Sequence, residues 1–248
     1  TIADASDKAG GLLRYGIPRY RLPNEVLDGD IKRIEKMGVS FQMNTYIEDM
    51  LKAKEDGGYD ALFVAVGAQR ARTLDIPGDG GIAVINAIDV LRQFENNADG
   101  VELNLGGKVV IYGGGNVAMD VARSAVRLGA AVQMVVLESR EQMPAHDFEV
   151  KEALEEGCQI QPLRAIKNAI DQTISLVEMA LDVQGKPQPT GRFESLQADT
   201  VVLAIGQEVE THLVEGIDGV SVRDGVVEID EHMMTGHQGL FAGGDMVP

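Results

Sequence analysis

Residues 109–120 read VVIYGGGNVAMD, and this stretch decides the fold. An apolar run typical of a strand leads directly into three glycines and then into a helix-forming sequence. Gly113 permits the tight turn out of the strand, Gly115 lets backbone N–H groups approach a ligand without an obstructing Cβ, and Ala118 allows the helix to lie close to the strand. This order of elements predicts a parallel βαβ unit that binds a dinucleotide.

The same loop supplies groups that can bind phosphate. The helix is predicted to begin at Asn116, its first N–H groups lack partners within it, and its N-terminus is partially positive. A glycine-rich turn without a ligand is the alternative interpretation. It is disfavoured because the glycines follow a strand, begin an amphipathic helix and lead to a second strand at 131–137.

The end of that second strand predicts which nucleotide is bound. Glu138 lies 20 residues after Ala118, where an acidic residue accepts hydrogen bonds from the adenosine ribose. Its charge would repel a 2′-phosphate, whereas Arg140, after Ser139, could bind one. Glu138 could also be a solvated charge at a strand end. We expect Glu138, Ser139 and Arg140 to contact the nucleotide, and NADH to be preferred over NADPH.

A second dinucleotide unit is indicated at the start of the sequence. Residues 1–4 have strand character, end in Asp4 and are followed by Gly10–Gly11. Asp4 would contact another ribose, and the matching glycine motif would precede Thr1. Taken alone this indication is weak.

Composition excludes several classes of protein. The net charge of −17 argues against nucleic acid as a partner, and no apolar stretch approaches the ~20 residues of a membrane span. Cys158, the single cysteine, cannot form an internal disulfide or ligate an iron–sulfur cluster by itself. The four histidines lack ligand spacing, so no metal site is predicted. With no signal peptide visible, we expect a cytoplasmic location.

Periodicity gives the remaining elements. Helices are predicted at 24–37, 82–93, 116–128 and 147–156, an antiparallel meander at 165–198, and a hairpin around 224–225. Two buried strands, at 59–67 and 200–206, each end in a glycine. Residues 12–23 contain two prolines and are predicted to form an ordered loop without a long helix.

Seven stretches, in this order, resemble one family over nearly the whole chain. They are GGLLRYGIPRYRLPNEVLDGDI, YDALFVAVGA, VVIYGGGNVAMDVARSAVRLGA, SREQMPA, EVKEALEEG, ADTVVLAIGQ and GLFAGGD. They are similar to the small (beta) subunit of bacterial glutamate synthase, to the flavin region of dihydropyrimidine dehydrogenase and, more distantly, to adrenodoxin reductase.

The resemblance implies an α/β fold of two nested Rossmann-like domains. Residues 1–80 would be the first part of an FAD domain that lacks its glycine motif, and 207–248 the second part. A nicotinamide-nucleotide domain, 81–206, would be inserted between them. Its phosphate loop is matched by Gly113, Gly114, Gly115, Asn116 and Val117. The strands ending at Gly67 and Gly206 would lie at the two crossings.

The resemblance also assigns residues to FAD. Asp4 matches the ribose ligand, and Ile47 falls where backbone groups meet the adenine. Gly244 and Asp245 match the motif on the ribitol and phosphate. The loop that wraps the flavin corresponds to the segment containing Gly11, Leu12 and Arg14.

Two departures from the family pattern are visible. NADP-dependent members typically have two arginines where this chain has Leu137 and Glu138. Members also have the upstream FAD motif, often preceded by cysteine clusters, and a helix after the Gly-Asp motif.

The function implied is that of a flavin-dependent oxidoreductase module. Hydride would pass between NAD(P)H and FAD, and electrons would continue to an iron–sulfur subunit or domain. The cofactors supply the chemistry, so no catalytic side chain is predicted. A thiol–disulfide reductase shares the layout but needs a Cys-x-x-Cys motif. A regulatory nucleotide-binding module without turnover is a further alternative.

Overall fold

The computed structural model describes residues 1–96 and 103–248. Contacts divide the chain into two compact units. The first unit comprises Thr1–Arg14, Asn24–Ala71 and Gln207–Pro248, and the second comprises Tyr15–Pro23 and Arg72–Gly206. Numbered in chain order, the helices are α1 Leu12–Tyr15, α2 Asn24–Lys36, α3 Met50–Asp56, α4 Ala87–Asn96, α5 Asn116–Arg127 and α6 Asp147–Glu155.

The strands are numbered in the same way. They are β1 Ile2–Ala3, β2 Phe41–Gln42, β3 Leu62–Val64, β4 Arg70–Ala71, β5 Ala83–Asn86, β6 Lys108–Tyr112, β7 Ala131–Val135, β8 Gln159–Gln161, β9 Arg164–Ile170, β10 Thr173–Leu181, β11 Pro187–Gln197, β12 Thr200–Leu203, β13 Gln207–Glu208, β14 Val222–Arg223, β15 Val226–Val227 and β16 Leu240–Ala242.

The second unit is built on a five-stranded parallel sheet of order β5-β12-β6-β7-β8. Its central strands are nearly continuous apolar runs because a parallel sheet is covered on both faces. One face packs against α4, α5 and α6, and the other is covered by the meander. Ile111 and Val202 are fully buried on the helical face.

The prediction of a helix over 82–93 is wrong in its first part. Ala83–Asn86 forms β5, which pairs in register with β12, and α4 follows it directly. Short apolar runs are ambiguous between helix and strand, and here the partner strand decides. Helix α3 and strand β4 were not predicted, and residues 12–15 form the one-turn helix α1 within the predicted loop.

The predicted antiparallel meander is confirmed. Strands β9, β10 and β11 form a three-stranded sheet in which β10 is central. Ile174 and Leu176 of β10 are fully buried against the parallel sheet. The meander therefore completes the core of the second unit.

The first unit contains helices α2 and α3 and four pairs of short strands. Two pairs are parallel, β1 with β2 and β3 with β16, while β4–β13 and β14–β15 are antiparallel. Its core includes Val64, Val227, Leu240 and Met246. The hairpin β14–β15 turns at Asp224–Gly225, as predicted.

The limits of the two units differ from the predicted domain limits in two places. The chain passes from the first unit to the second at 71/72, nine residues before the predicted boundary, and returns at 206/207, where a boundary was predicted. In addition, Tyr15–Pro23 contacts the second unit, although the sequence analysis placed it in the first domain. We call Tyr15–Pro23, sequence YGIPRYRLP, the strap.

Candidate functional site

The loop between β6 and α5 contains two glycines that the protein itself requires. Gly113 has φ +141°, and a Cβ there would lie 2.2 Å from the carbonyl oxygen of Ala204. A Cβ on Gly114 would lie 2.7 Å from Cγ1 of Val136. Both positions must lack a side chain for the loop to keep its path, whether or not a ligand binds.

Gly115 differs from its two neighbours. Its φ of −92° is open to any residue, and no atom of the described chain lies within 4 Å of a Cβ placed there. It is also the N-cap of α5, and no side chain caps that helix end. The open space beside Gly115 could accommodate a pyrophosphate, and the uncapped N–H groups could donate hydrogen bonds to it.

A neighbouring segment holds this loop in place. Oδ1 of Asn116 accepts a hydrogen bond from the backbone N–H of His146 at 3.0 Å. The carbonyl oxygen of Gly114 accepts one from Ala145 N–H at 3.1 Å. Val117 is half-buried and Ala118 is fully buried against the sheet. These contacts of residues 145–146 join segments about 30 positions apart and carry no local signal in the sequence.

The residues expected to contact the ribose follow β7. A Cβ on Gly114 would lie 3.7 Å from Oε2 of Glu138, so this half-buried carboxylate lies beside the loop. Ser139 is buried, and its hydroxyl bonds to Glu141 at 2.9 Å. Nη1 of Arg140 lies 3.9 Å from Sδ of Met143, and no carboxylate among the described residues forms an ion pair with Arg140.

Gly206 lies after β12, which neighbours β6 in the sheet. Its φ is +102°, and its carbonyl oxygen accepts a hydrogen bond from Arg72 N–H at 3.1 Å. Because β6 and β12 are parallel, their carboxyl ends face the same edge of the second unit. Gly206 is therefore on the same edge as the glycine loop.

In the first unit, Asp4 and the segment before Ile47 come together. Asp4 follows β1, and its carbonyl oxygen accepts a hydrogen bond from Thr45 N–H at 2.8 Å. One carboxylate oxygen accepts a bond from Ser6 N–H at 2.8 Å. Ile47 is partly buried against the core of this unit. Both residues follow the carboxyl ends of a parallel pair, where nucleotides bind in such sheets.

Gly244 and Asp245 follow the carboxyl end of the other parallel pair. Gly244 has φ +66° with open space around it. Oδ2 of Asp245 accepts a long hydrogen bond, 3.4 Å, from the backbone N–H of Ala68. Asp245 is exposed, so its carboxylate remains accessible to a ligand.

The predicted flavin-contacting segment is partly occupied by internal contacts. Arg14 is buried, donates to the carbonyl oxygen of Ala9 at 2.6 Å and pairs with Asp28 at 2.5 Å. This hydrogen bond holds the pKa of the Asp28 carboxyl below its usual range. Gly11, with φ +52°, and Leu12 are half-buried.

Other reactive groups offer no alternative chemistry. Burial raises the pKa of the Cys158 thiol to about 11, so at neutral pH it is not a thiolate nucleophile. Among residues 1–96 and 103–248, no cluster of three or more His, Cys, Asp or Glu side chains could hold a metal ion. Within the same residues no helix has the length and apolar character needed to cross a bilayer.

Comparison with known proteins identifies the family. The profile of the family described as pyridine nucleotide-disulphide oxidoreductase matches residues 25–248. The chain belongs to this family of oxidoreductases. The predicted oxidoreductase class and α/β fold are thereby confirmed.

Curated relatives confirm the resemblance to glutamate synthase small subunits. The chain is 38% identical to the NADP(+)-dependent formate dehydrogenase subunit beta of Moorella thermoacetica, covering 100% of this chain and 37% of the relative. It is 34% identical to the putative glutamate synthase [NADPH] small chain of Cereibacter sphaeroides, covering 100% of this chain and 65% of the relative. The chain thus spans about one third to two thirds of these relatives.

Solved structures show the same fold. Thioredoxin reductase of T. acidophilum superimposes with a TM-score of 0.72 at 16% identity, covering 100% of this chain and 82% of that one.

The relatives do not support the expected preference for NADH, since their names specify NADP(+) or NADPH. That expectation rested on the charge of Glu138 and on the absence of arginine at positions 137 and 138.

Proposed function

We propose that this chain is the nucleotide-binding part of an FAD-dependent oxidoreductase that takes hydride from NAD(P)H and passes electrons to an iron–sulfur subunit or domain. The observation that supports it best is the difference among the three loop glycines. The fold requires glycine at positions 113 and 114, whereas no described contact requires it at position 115, where a bound pyrophosphate would need the space that a side chain takes.

In the second unit, the residues of the glycine loop bind and orient the nucleotide. The first N–H groups of α5 bind the pyrophosphate, and Asn116, fixed by His146 N–H, keeps the first turn in place. When bound, FAD and the nicotinamide supply the hydride chemistry. No side chain of this chain needs to act as an acid or base.

In the first unit, FAD would be held by Asp4 at the ribose, by the backbone near Ile47 at the adenine, and by Gly244 and Asp245 at the ribitol and phosphate. Their placement after the ends of parallel strands supports this assignment. A charge-assisted hydrogen bond accepted by the Asp245 carboxylate is worth about 1–3 kcal/mol. Asp245→Ala in the full-length protein should lower flavin retention, and full occupancy after purification would reject this role.

We further propose NADP(H) as the preferred nucleotide, with Arg140 as the 2′-phosphate ligand. The names of the relatives support this choice, and Arg140 forms no ion pair with a described carboxylate. Glu138 opposes it through like-charge repulsion. Arg140→Gln should lower kcat/KM for NADPH and leave that for NADH within twofold, whereas Glu138→Gln should raise it for NADPH. A native preference for NADH would reject the assignment of Arg140.

Gly115→Val in the full-length protein tests the proposal as a whole. The side chain would occupy the space of the pyrophosphate without meeting any described atom. We expect normal flavin content and folding, but no bleaching of the flavin absorbance by NADPH or NADH. Gly29→Val, another position with open space in the structure, is the control. Normal bleaching in the Gly115 variant would reject this loop as the nucleotide site.

A regulatory module differs from the proposed oxidoreductase in what its native form does with the nucleotide. A module without turnover would bind the nucleotide, yet its native form would show no flavin reduction. A thiol–disulfide reductase needs a pair of cysteines, and the sequence contains Cys158 alone. Anaerobic titration of the native flavoprotein with NADPH separates these possibilities.

A further inference from the structure

The strap, Tyr15–Pro23, is attached to three helices of the second unit through charged side chains. Arg19 pairs with Glu95 of α4, with Nε to Oε2 at 2.7 Å and its own N–H to Oε1 at 2.9 Å. Arg21 binds both carboxylate oxygens of Asp120 in α5 at 2.6 Å and also bonds to Glu149 of α6. Two arginines thus connect one short segment to α4, α5 and α6.

Tyr20 adds contacts between these two arginines. Its ring centroid lies 3.8 Å from Cζ of Arg127 and 4.9 Å from that of Arg123, both on α5. Its hydroxyl is 3.4 Å from the carbonyl oxygen of Asp120. Burial raises the pKa of Tyr20 to about 12, so the ring stays neutral and can stack on both guanidinium groups.

The carboxylates that pair with the arginines of the strap are deeply buried. The side chains of Glu95, Asp120 and Glu149 are only 4%, 6% and 2% exposed. Oε2 of Glu149 has no hydrogen-bond partner among the residues that the structure describes. Removing an arginine would leave buried charge uncompensated, which is strongly unfavourable. The strap is therefore a permanent part of the second unit.

Helix α5 connects the strap to the nucleotide loop. It begins at Asn116 beside Gly115, and Asp120 follows one turn later on the same helix. Arg123 and Arg127 continue the same side of the helix. The strap contacts this side from Asp120 to Arg127, about two turns, so α5 links the glycine loop to the strap.

The strap is also joined to the predicted flavin-contacting segment. The chain passes between the two units at 14/15 and again at 23/24, with no intervening linker residues. Gly11, Leu12 and Arg14 immediately precede the strap. We propose that Arg21 is a positioning residue, which fixes the strap on α5 and thereby restrains the attached Gly11–Arg14 segment during hydride transfer. This proposal rests on the proposed function.

A purely structural anchor would act on stability alone. A positioning residue must in addition change the rate of flavin reduction at saturating nucleotide while leaving nucleotide affinity unchanged. The two roles are separated by measuring the limiting rate and the Kd independently.

The experiment compares full-length flavoproteins carrying Arg21→Ala, Arg21→Lys or no substitution. Hydrogen–deuterium exchange of peptides covering residues 12–24 reports whether the strap is released. Stopped-flow reduction by NADPH gives the limiting rate and Kd. For Arg21→Ala we expect faster exchange in the strap, a limiting rate at least tenfold lower, and a Kd within twofold of the native value. Arg21→Lys should recover part of the rate, because one ammonium can bond Asp120 without reproducing the guanidinium fork.

Arg164→Ala is the matched control, because it removes a salt bridge to Glu194 within the meander. It should change neither strap exchange nor rate. If Arg21→Ala is insoluble, the variant Arg21→Gln, Asp120→Asn, Glu149→Gln removes the three charges together and is measured instead. Strap release with an unchanged rate, or a rate loss matched by a rise in Kd, would overturn the proposal. Failure of the native flavin to be reduced would reject the proposed function, while the exchange data would still report on the anchor.

Discussion

Helix α5 is contacted at its N-terminus by the glycine loop and along its side by the strap. The conformations of these two regions depend on opposite properties of their side chains. At the loop, Gly113 and Gly114 are needed because no side chain fits there. At the strap, Arg19 and Arg21 are needed because their guanidinium groups, themselves partly exposed, compensate the buried carboxylates of Glu95 and Asp120. The loop therefore depends on the absence of side chains and the strap on their charge complementarity.

The largest expected effect concerns the loop. Gly113→Ala introduces a Cβ 2.2 Å from a backbone oxygen, at φ +141°. Strain and overpacking together should destabilise the fold by about 4 kcal/mol. Gly129→Ala is the control, since Gly129 has φ +91° with open space around it. That variant should lose only about 1–2 kcal/mol. Urea unfolding measures both, and equal losses would show that backbone conformation, not the contact with Ala204, governs position 113.

The next effect concerns the strap. Arg21→Ala leaves Asp120 and Glu149 buried without their shared counter-charge, which should lower the free energy of unfolding by about 3 kcal/mol. Arg33→Ala removes an exposed pair with Asp30 and should cost less than about 1 kcal/mol. If denaturation shows the same small loss for both variants, the strap is not an ionic anchor.

The smallest effect concerns pH. Burial raises the pKa of Asp120 above its ordinary value, so its contribution to stability is present at low pH and declines as pH rises through the folded pKa. Asp120→Asn cannot ionise and should lack this decline, while staying within about 1 kcal/mol of wild type because the amide oxygen can still accept from Arg21. Stability of the variant relative to wild type should rise from pH 4 upward. If the stability of the variant instead falls relative to that of wild type as pH rises, the ion pair with Arg21 outweighs the effect of burial on the pKa of Asp120.

Much of the second unit could be predicted from the sequence because its determinants are local. A strand, a glycine turn and a helix follow one another directly in the chain, so one short stretch of sequence contains the whole pattern. The meander was predicted for the same reason, since turn residues separate its strands. Strand β5 could not be distinguished from the start of a helix, because the short apolar run Ala83–Ile85 fits either pattern. Only its pairing with the distant strand β12 decides between them.

The strap could not be predicted because its partners are distant in the chain. Arg19 bonds to a residue 76 positions away, and Arg21 to one 128 positions away. One indication was present in α5, where Asp120, Arg123 and Arg127 form a charged stripe. Such a stripe is usually solvated. Here the helix is buried on both sides from Ala118 to Ala125, and the strap covers the charged one.

The four chain crossings between the units also bear on modularity. A continuous piece from Arg72 to Gly206 contains the whole parallel sheet and the glycine loop, but it omits Tyr15–Pro23. Excised or transplanted alone, it would leave Glu95, Asp120 and Glu149 in place without the two arginines that neutralise them. A transferable nucleotide-binding module must therefore include nine residues that the chain encodes within the sequence of the other unit.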